Sequence, residues 1–180
     1  MKNLGCFLGL AFILVAVPAQ ASDLTLFGGF QHQGELTLDT GTRNLLGRAV
    51  TQTFDPKNFG VFGVRYSRGK VIGGEHTIAY APNFIDSQAK AIIYNSNLMV
   101  QAPLPKVHPY GTVGLGTVFT SGTGPADFGG KFAVNYGGGL KIFPAGPVGG
   151  RIDIRGYTIP KIQDQTLNVL EVSVGVVFSF

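Results

Sequence analysis

In several otherwise apolar stretches of the sequence, charged side chains lie at positions that alternate with the aliphatic or aromatic ones. The clearest run is Arg151, Asp153 and Arg155, which alternates with Ile152 and Ile154. Successive side chains of an extended chain point to opposite faces, so the charged groups share one face of a strand and the isoleucines share the other. Ion pairing is the chemistry that such a face supports, because groups of opposite charge lie side by side on it.

Charged residues in other stretches follow the same alternation and lie opposite the aromatic and aliphatic side chains of their own stretch. The full set is Arg65, Glu75, Lys141, Arg151, Asp153, Arg155 and Glu171. If the last two strands turn about Gln163, Arg155 lies across from Glu171 and Asp153 from Ser173, with Cβ atoms about 4.5 to 5.5 Å apart. We therefore predict a polar network inside the fold; the alternative is the solvated face of a soluble sheet.

Groups suited to catalysis are few and scattered. A set suited to acyl transfer could be assembled from His32, Asp86, Ser87 and Ser121. A nucleophile needs a base beside it, and no spacing in the sequence ties one to the other, so we predict no catalytic residues. The three histidines, His32, His76 and His108, lack the spacing of metal ligands. No glycine run is followed by Lys-Ser/Thr at the start of a helix, as a phosphate-binding loop would require. We therefore predict neither a metal nor a cofactor.

The strands that would position these side chains are clearest at the end of the sequence. Apolar residues fall at every second position there, namely at Leu170, Val172, Val174, Val176, Phe178 and Phe180. The residues between them are Glu171, Ser173, Gly175, Val177 and Ser179. This period of two is typical of a strand with one apolar face and one more polar face.

The same alternation recurs along the chain and predicts eight strands. They cover residues 24–33, 58–67, 70–81, 89–101, 107–120, 130–143, 148–159 and 167–180. Residues 34–57 break the pattern and are predicted to form a long loop, with one helical turn over 44–50 capped by Thr42. The connections after the first, third, fifth and seventh strands are on the whole the longer ones. The fold class predicted is all-β, an eight-stranded antiparallel up-and-down barrel.

The start of the sequence predicts a secretory signal peptide over residues 1–21 and a single barrel domain over 22–180. Lys2 is followed by an apolar run over 4–17 and then by Pro18-Ala19-Gln20-Ala21, a small-residue cleavage site. The apolar run is shorter than the ~20 residues that a membrane-spanning helix needs. Cys6, the only cysteine, lies inside this segment, so the mature chain is predicted to contain no thiol.

Composition excludes several functional classes. The formal net charge is +4 and the basic residues are scattered, so no nucleic-acid partner is predicted. No later run is apolar enough for a membrane helix. A membrane location would therefore require a closed barrel, since an open sheet would leave unpaired backbone groups in lipid.

The whole mature chain resembles the eight-stranded bacterial outer-membrane barrels of the OmpA and OmpX type. The segments that carry the resemblance are 136–141, 149–155 and the aromatic C-terminal end, 174–180. The resemblance implies a monomer in the outer membrane, inserted by the export and barrel assembly machinery and surrounded by outer-membrane lipid and lipopolysaccharide. In such a barrel the apolar positions from Leu170 to Phe178 face lipid and the polar network lies in the lumen. Arg43, Arg48 and Lys57 of the first loop could then meet lipopolysaccharide phosphates.

Function is less defined than fold, because this architecture hosts unrelated activities. We expect a small non-enzymatic barrel with a structural or surface-interaction role through its extracellular loops, whose partner the sequence does not identify. One alternative is a lipid A-modifying enzyme, since some eight-stranded barrels are acyltransferases or deacylases. A second alternative is a soluble periplasmic carrier of lipocalin type.

Overall fold

A computed structural model describes residues 22–44, 47–85, 89–122, 127–162 and 165–180. The predicted signal peptide, residues 1–21, lies outside the described residues, as do Asp86 and Ser87. No helix in the described ranges is long and apolar enough to cross a bilayer.

Ten strands follow one another along the described chain. They are β1 (Ser22–Gln33), β2 (Leu36–Arg43), β3 (Ala49–Phe54), β4 (Asn58–Arg68), β5 (Ile72–Ala81), β6 (Ala89–Gln101), β7 (Val107–Gly122), β8 (Gly130–Ala145), β9 (Val148–Ile162) and β10 (Gln165–Ser179). Eight of them close a barrel in the order β1-β10-β9-β8-β7-β6-β5-β4, and β2 pairs only with β3. Every pairing is antiparallel, which confirms the predicted fold class.

The inward and outward faces follow the period of two. On β10, Val174 is 60% exposed on the outer wall whereas Ser173 is 1% exposed inside. Most of the outward residues of the barrel strands are aliphatic or aromatic in the same way, including Phe30, Ile78 and Leu115. The barrel strands contain ten or more residues, as a tilted crossing of a bilayer requires.

The prediction of a long loop over residues 34–57 is wrong, because β2 and β3 form a hairpin there. Leu36 pairs with Phe54 and Arg43 pairs with Ala49. Thr42 and residues 49 and 50 lie in these strands rather than in a capped helical turn, while residues 45 and 46 lie outside the described residues. Leu36, Leu38 and Phe54 supply the apolar face of the hairpin, and all three are buried.

The predicted link over residues 160–166 is shorter in the structure, because β9 continues to Ile162 and β10 begins at Gln165. Pro160 lies within β9, where a proline removes one backbone donor. The pairing shifts register between Gln165 and Leu167, and Lys161 has a positive φ of 61°. This irregularity accommodates the proline, since bulges tolerate residues that an even ladder excludes.

Both barrel termini lie at the same end as the connections 69–71, 102–106 and 146–147. In outer-membrane barrels the termini and short turns face the periplasm and the loops face outward. We name this end the periplasmic end, after the orientation that the resemblance implies, and the opposite end, which carries the β2–β3 hairpin, the extracellular end.

Two layers fill the barrel interior. The periplasmic layer is polar and charged, and it includes Arg65, Glu75, Lys141, Arg151 and Asp153, all almost fully buried. The extracellular layer is an apolar cluster built from barrel strands, from the β2–β3 hairpin and from the connection after β5. Its members include Leu38, Phe59, Phe84, Ile85, Ile159 and Leu167. Eight strands leave an interior of about the width that side chains fill, which is why both layers are packed.

Candidate functional site

The periplasmic layer, called the polar layer below, is the largest cluster of charged side chains in the described part of the chain. Its charged members project inward from β1, β4, β5, β8, β9 and β10, at positions that alternate with outward residues. The cations are Arg65, Lys141, Arg151 and Arg155, and the carboxylates are Asp23, Glu75, Asp153 and Glu171. Equal numbers of each sign make the buried layer electrically neutral.

Asp153 stands at the centre of the network, because its carboxylate contacts three arginines. Arg65 Nη1 lies 2.9 Å from Oδ2, Arg151 Nε lies 3.0 Å from Oδ2, and Arg155 Nη2 lies 2.9 Å from Oδ1. The Tyr110 hydroxyl donates to the same carboxylate and accepts from Arg151 Nε at 2.8 Å. Three cations around one carboxylate need further anions to balance them.

Glu75 and Glu171 supply those anions on opposite sides of Asp153. Glu75 bridges two arginines, with 2.5 Å from Oε2 to Arg151 Nη2 and 2.7 Å from Oε1 to Arg155 Nη2. Glu171 pairs with Arg65 Nη2 and accepts from Gln31 Nε2 at 2.8 Å and from the Tyr157 hydroxyl at 3.1 Å. Each carboxylate is therefore held by several donors at once.

The predicted pairing of β9 with β10 places residues as expected, but the partner of Glu171 differs. Arg155 does lie opposite Glu171, and Asp153 opposite Ser173. The guanidinium of Arg155 turns instead toward Glu75 and Asp153, and Glu171 pairs with Arg65. Long side chains in a narrow lumen reach beyond the neighbouring strand, so strand register alone does not decide the ion pair.

Lys141 forms a second cluster closer to the periplasmic end. Its Nζ lies 2.5 Å from Asp23 Oδ2, and it donates to Gln101 Oε1 at 3.1 Å and to Ser67 Oγ at 3.2 Å. Gln101 in turn donates to the carbonyl of Gly69 at 2.9 Å. This cluster ties β1, β4, β6 and β8 to the periplasmic turn after β4.

Asp23, Gln31, Ser67 and Gln101 were not among the predicted network residues. Asp23 could have been found, because it continues the inward alternation of Thr25 and Phe27 one step before the predicted start of the first strand. Tyr110 and Tyr157 also lie inside the barrel, where they donate to Asp153 and Glu171.

Among the described residues, the interior is packed tightly beside these groups. The gap between Gln31, Phe84, Ile93 and Val169 is too small to admit a water molecule. Above the polar layer, the rings of Phe59 and Phe84 pack edge to face with centroids 5.2 Å apart. The charged side chains are thus enclosed on the extracellular side by apolar packing.

The residues considered for acyl transfer are not assembled into a site. His32 lies at the extracellular end of β1, where Nδ1 is 2.8 Å from Asn58 Oδ1. Ser121 lies at the extracellular end of β7, four strands away around the closed barrel in either direction. His32 and Ser121 are therefore on opposite walls, and Asp86 and Ser87 lie outside the described residues.

The remaining histidines are separated as well. His76 lies on the outer wall of β5, with Nδ1 3.0 Å from the Tyr94 hydroxyl. The His108 ring packs at a tilt against Phe143 at the periplasmic end, with ring centroids 5.2 Å apart. Within the described ranges, no three His, Cys, Asp or Glu side chains group in a way that could hold a metal ion.

The basic residues predicted in the first loop lie around the β2–β3 hairpin. Arg43 ends β2 and forms a 3.0 Å ion pair with Asp39, with both side chains more than a third exposed. Arg48 directly precedes β3, and Lys57 precedes β4. All three are thus at the extracellular end.

Comparison with known proteins places this geometry among membrane barrels. Residues 7–180 match the family model described as outer membrane protein beta-barrel domain. Neisserial surface protein A shares the fold with a TM-score of 0.61 at 13% identity, over 87% of this chain and 97% of that chain. The N-terminal β-barrel domain of Pseudomonas aeruginosa OprF gives a TM-score of 0.57 at 13% identity, over 89% and 98% of the two chains. At such identities the likeness shows the fold alone, and no curated protein sequence matches the chain.

Proposed function

The chain belongs to the outer membrane protein beta-barrel domain family, and on that premise we propose that it is a non-enzymatic barrel that acts at the cell surface through its extracellular hairpin. The observation that carries the proposal is the closed interior. The charged groups that could bind a solute or perform acid–base chemistry are buried and paired with one another. Activity toward a partner must then come from the elements outside the bilayer.

The β2–β3 hairpin is the extracellular element best suited to such a role. Leu36 and Leu38 anchor it in the apolar layer, and Gln165 holds it through the backbone of Thr37, whose N–H donates to Oε1 at 3.2 Å. The side chains of Thr51 and Gln52 on β3 are exposed. The hairpin is thus fixed to the barrel on one side and presents polar side chains on the other.

The free edge of β3 offers a defined mode of recognition. In the described sheet β3 pairs with β2 alone, so its other edge has no strand beside it. An extended peptide can add to such an edge through main-chain hydrogen bonds, with neighbouring side chains giving specificity. A partner with an extended segment is therefore the type of ligand that fits this surface.

Export through a signal peptide removed after Ala21 is part of the proposal. It follows from the charged start, the apolar run and the small residues before Ser22. The intact mass of protein purified from outer membranes tests it, because cleavage after Ala21 leaves Ser22 as the first residue. A mass that retains residues 1–21 would contradict it.

Cysteine labelling tests whether the hairpin is outside the cell. The predicted mature chain has no cysteine, so Thr51→Cys and, as a control on a periplasmic connection, Lys70→Cys each introduce a single thiol. A membrane-impermeant maleimide should label Thr51→Cys on intact cells and Lys70→Cys only after permeabilisation. Labelling of Lys70→Cys alone on intact cells would reverse the orientation and remove the proposed role.

Adherence tests the role itself. Cells that express the protein should bind to cultured epithelial layers or to one another more than cells that express a variant with residues 36–54 replaced by a short Gly-Ser linker. Heat-modifiable migration on gels must show that the variant still forms a barrel. Equal adherence of the two strains would contradict a surface-interaction role for the hairpin and favour a purely structural one.

A further inference from the structure

An apolar groove runs along the outer wall of the barrel over β8, β9 and β10. Its upper part encloses about 470 Å³ and is bordered by Tyr136, Ile154 and Leu170. Its lower part encloses about 390 Å³ and is bordered by Leu140, Ile152 and Ile154. Ile154 borders both parts, so they lie end to end along the wall.

Two outward glycines produce the groove. Gly138 of β8 pairs with Ile154, and Gly156 of β9 pairs with Tyr136, so each glycine lies beside a tall side chain on the next strand. A Cβ at Gly138 would lie 2.5 Å from the carbonyl oxygen of Tyr110. A Cβ at Gly156 would lie 2.8 Å from the Tyr136 ring. The backbone of Tyr110 therefore excludes a side chain at Gly138, whereas the Tyr136 ring would have to shift to admit one at Gly156. The wall is low where these side chains are missing.

The extracellular end of the groove is polar. His32 and Asn168 border it there, and the Oδ1 of Asn168 accepts from the Thr158 hydroxyl at 3.0 Å. The opposite end, between Leu140 and Ile152, is bordered only by apolar and glycine residues. The polarity therefore changes along the groove in the direction that leads from the extracellular rim into the membrane.

Two lysines lie at the extracellular ends of β8 and β9, where Lys161 is exposed and Lys131 follows the inward alternation of Ala133 and Asn135. Lys131 Nζ donates to the carbonyl of Lys161 at 3.1 Å, so the two residues lie together at the extracellular ends of their strands. An exposed acid, Glu35, follows Gly34 on the β1 side. The exposed cation at this end of the wall is thus Lys161 of β9.

We propose that this groove holds one acyl chain of a lipopolysaccharide molecule of the outer leaflet. The outer wall of a membrane barrel faces lipid, so the occupant of an apolar groove at this level is a lipid chain. The polar end at the extracellular rim selects the outer leaflet, because the headgroup must lie at the water side. The groove is open on its lipid side, so an acyl chain would lie along it rather than be enclosed by it. Lys161, which is exposed at the extracellular end of β9, lies where a phosphorylated headgroup would meet positive charge.

Filling the groove with an indole tests the proposal. Ile154→Trp adds bulk at the residue that borders both parts of the groove. The matched control is Ile78→Trp on β5, because β5 lies diametrically opposite β9 and the two isoleucines are 59% and 57% exposed. Each mature protein is refolded into phosphatidylcholine vesicles that contain either purified lipopolysaccharide or phosphatidylglycerol. Native mass spectrometry after extraction in mild detergent then counts the retained lipid.

We expect the unmodified protein and Ile78→Trp to retain one lipopolysaccharide, and Ile154→Trp to retain about tenfold less. Retention of phosphatidylglycerol should be low and equal for all three proteins. Undiminished lipopolysaccharide retention by Ile154→Trp, or equal loss from both variants, would overturn the proposal. Groove-dependent retention of phosphatidylglycerol at the level of lipopolysaccharide would overturn the choice of lipid.

If Ile154→Trp does not fold, as judged by heat-modifiable migration, a second pair of variants replaces the first. Leu170→Trp fills the upper part of the groove from β10, and Ile92→Trp on β6 is the diametrically opposite control. The same retention of lipopolysaccharide by both of these variants would overturn the proposal.

Discussion

Arg65 of β4 and Glu171 of β10 form an ion pair that spans the inner face of β1, the strand between them. Arg65 also contacts Asp153 at 2.9 Å, and its guanidinium lies 3.6 Å above the ring of Phe27. The pair therefore links the N-terminal strands of the barrel to its last two strands. The N-terminal and C-terminal strands meet where β1 pairs with β10, and this pairing closes the barrel.

Breaking this ion pair should destabilise the barrel strongly. Removal of one partner of a buried pair leaves the other without its counter-ion and costs about 3 to 5 kcal/mol. Glu171→Gln and Arg65→Met should each lower the free energy of unfolding, at the lower end of that range because Asp153 and Tyr157 remain as partners. The double variant should cost less than the sum of the two single variants. Urea unfolding in lipid vesicles measures all three.

Two comparisons make this prediction specific. The coupling between Arg155→Met and Glu171→Gln should be smaller than the coupling between Arg65→Met and Glu171→Gln, although Arg155 lies opposite Glu171 in the register. Asp39→Asn, which breaks the exposed pair with Arg43, should change stability by no more than about 1 kcal/mol. A larger coupling for the Arg155 pair would contradict the contacts described above.

A charged residue introduced on the outer wall should lower the free energy of unfolding, and by more the deeper it lies in the bilayer. Val174 lies on the outer wall near the middle of β10, so Val174→Arg should cost about 2 to 4 kcal/mol if the position is at the bilayer midplane. Thr166→Arg, at the extracellular end of the same strand, should cost about 0 to 1 kcal/mol. Unfolding in vesicles of one lipid composition allows the two to be compared. Equal stability of Val174→Arg and the unmodified protein would argue against a lipid-facing wall.

The alternation of residues was enough to predict the barrel and the direction of most side chains. It worked because a strand with one buried face must alternate, and a shift of one residue would turn every side chain to the wrong face. The β2–β3 hairpin was missed for the opposite reason. Its strands are short, and only Leu36, Leu38 and Phe54 mark the buried face among polar neighbours.

The contacts inside the lumen could be predicted only in part. Register indicates which residues lie opposite each other on neighbouring strands, but Arg65 and Glu171 are two strands apart in the barrel order. The apolar extracellular layer was not predicted, because several of its members are small, such as Ala79, Ala91 and Ala133. Alanine gives little sign of burial in a sequence, and these positions are small because the rings of Phe59 and Phe84 fill the space between the walls.

Overexpression should leave lipid A unchanged. His32 and Ser121 are on opposite walls of the barrel, so they cannot act as base and nucleophile on one substrate. Mass spectrometry of lipid A from expressing cells should show no gain or loss of acyl chains, and His32→Ala should make no difference. A mass shift that His32→Ala abolishes would favour the enzyme alternative.

The apolar layer should contribute strongly to stability. Phe84 is 1% exposed and its ring packs against Phe59 and Phe128, so Phe84→Ala should cost about 3 to 5 kcal/mol. Phe62→Ala is the matched control, because Phe62 is 54% exposed on the outer wall and contacts Tyr80 there. Phe62→Ala should cost clearly less. Equal costs would contradict the description of Phe84 as part of a packed layer.

The same variant tests whether the two layers close the barrel independently. Neither the unmodified protein nor Phe84→Ala should show a steady conductance in planar bilayers, because the ion-paired layer around Asp153 still blocks the lumen when the apolar layer is thinned. Open channels belong to barrels of about 16 to 18 strands, which provide a positive control for the recordings. A steady current through Phe84→Ala alone would show that ions pass the polar layer. A steady current through the unmodified protein would favour passive transport over a surface role.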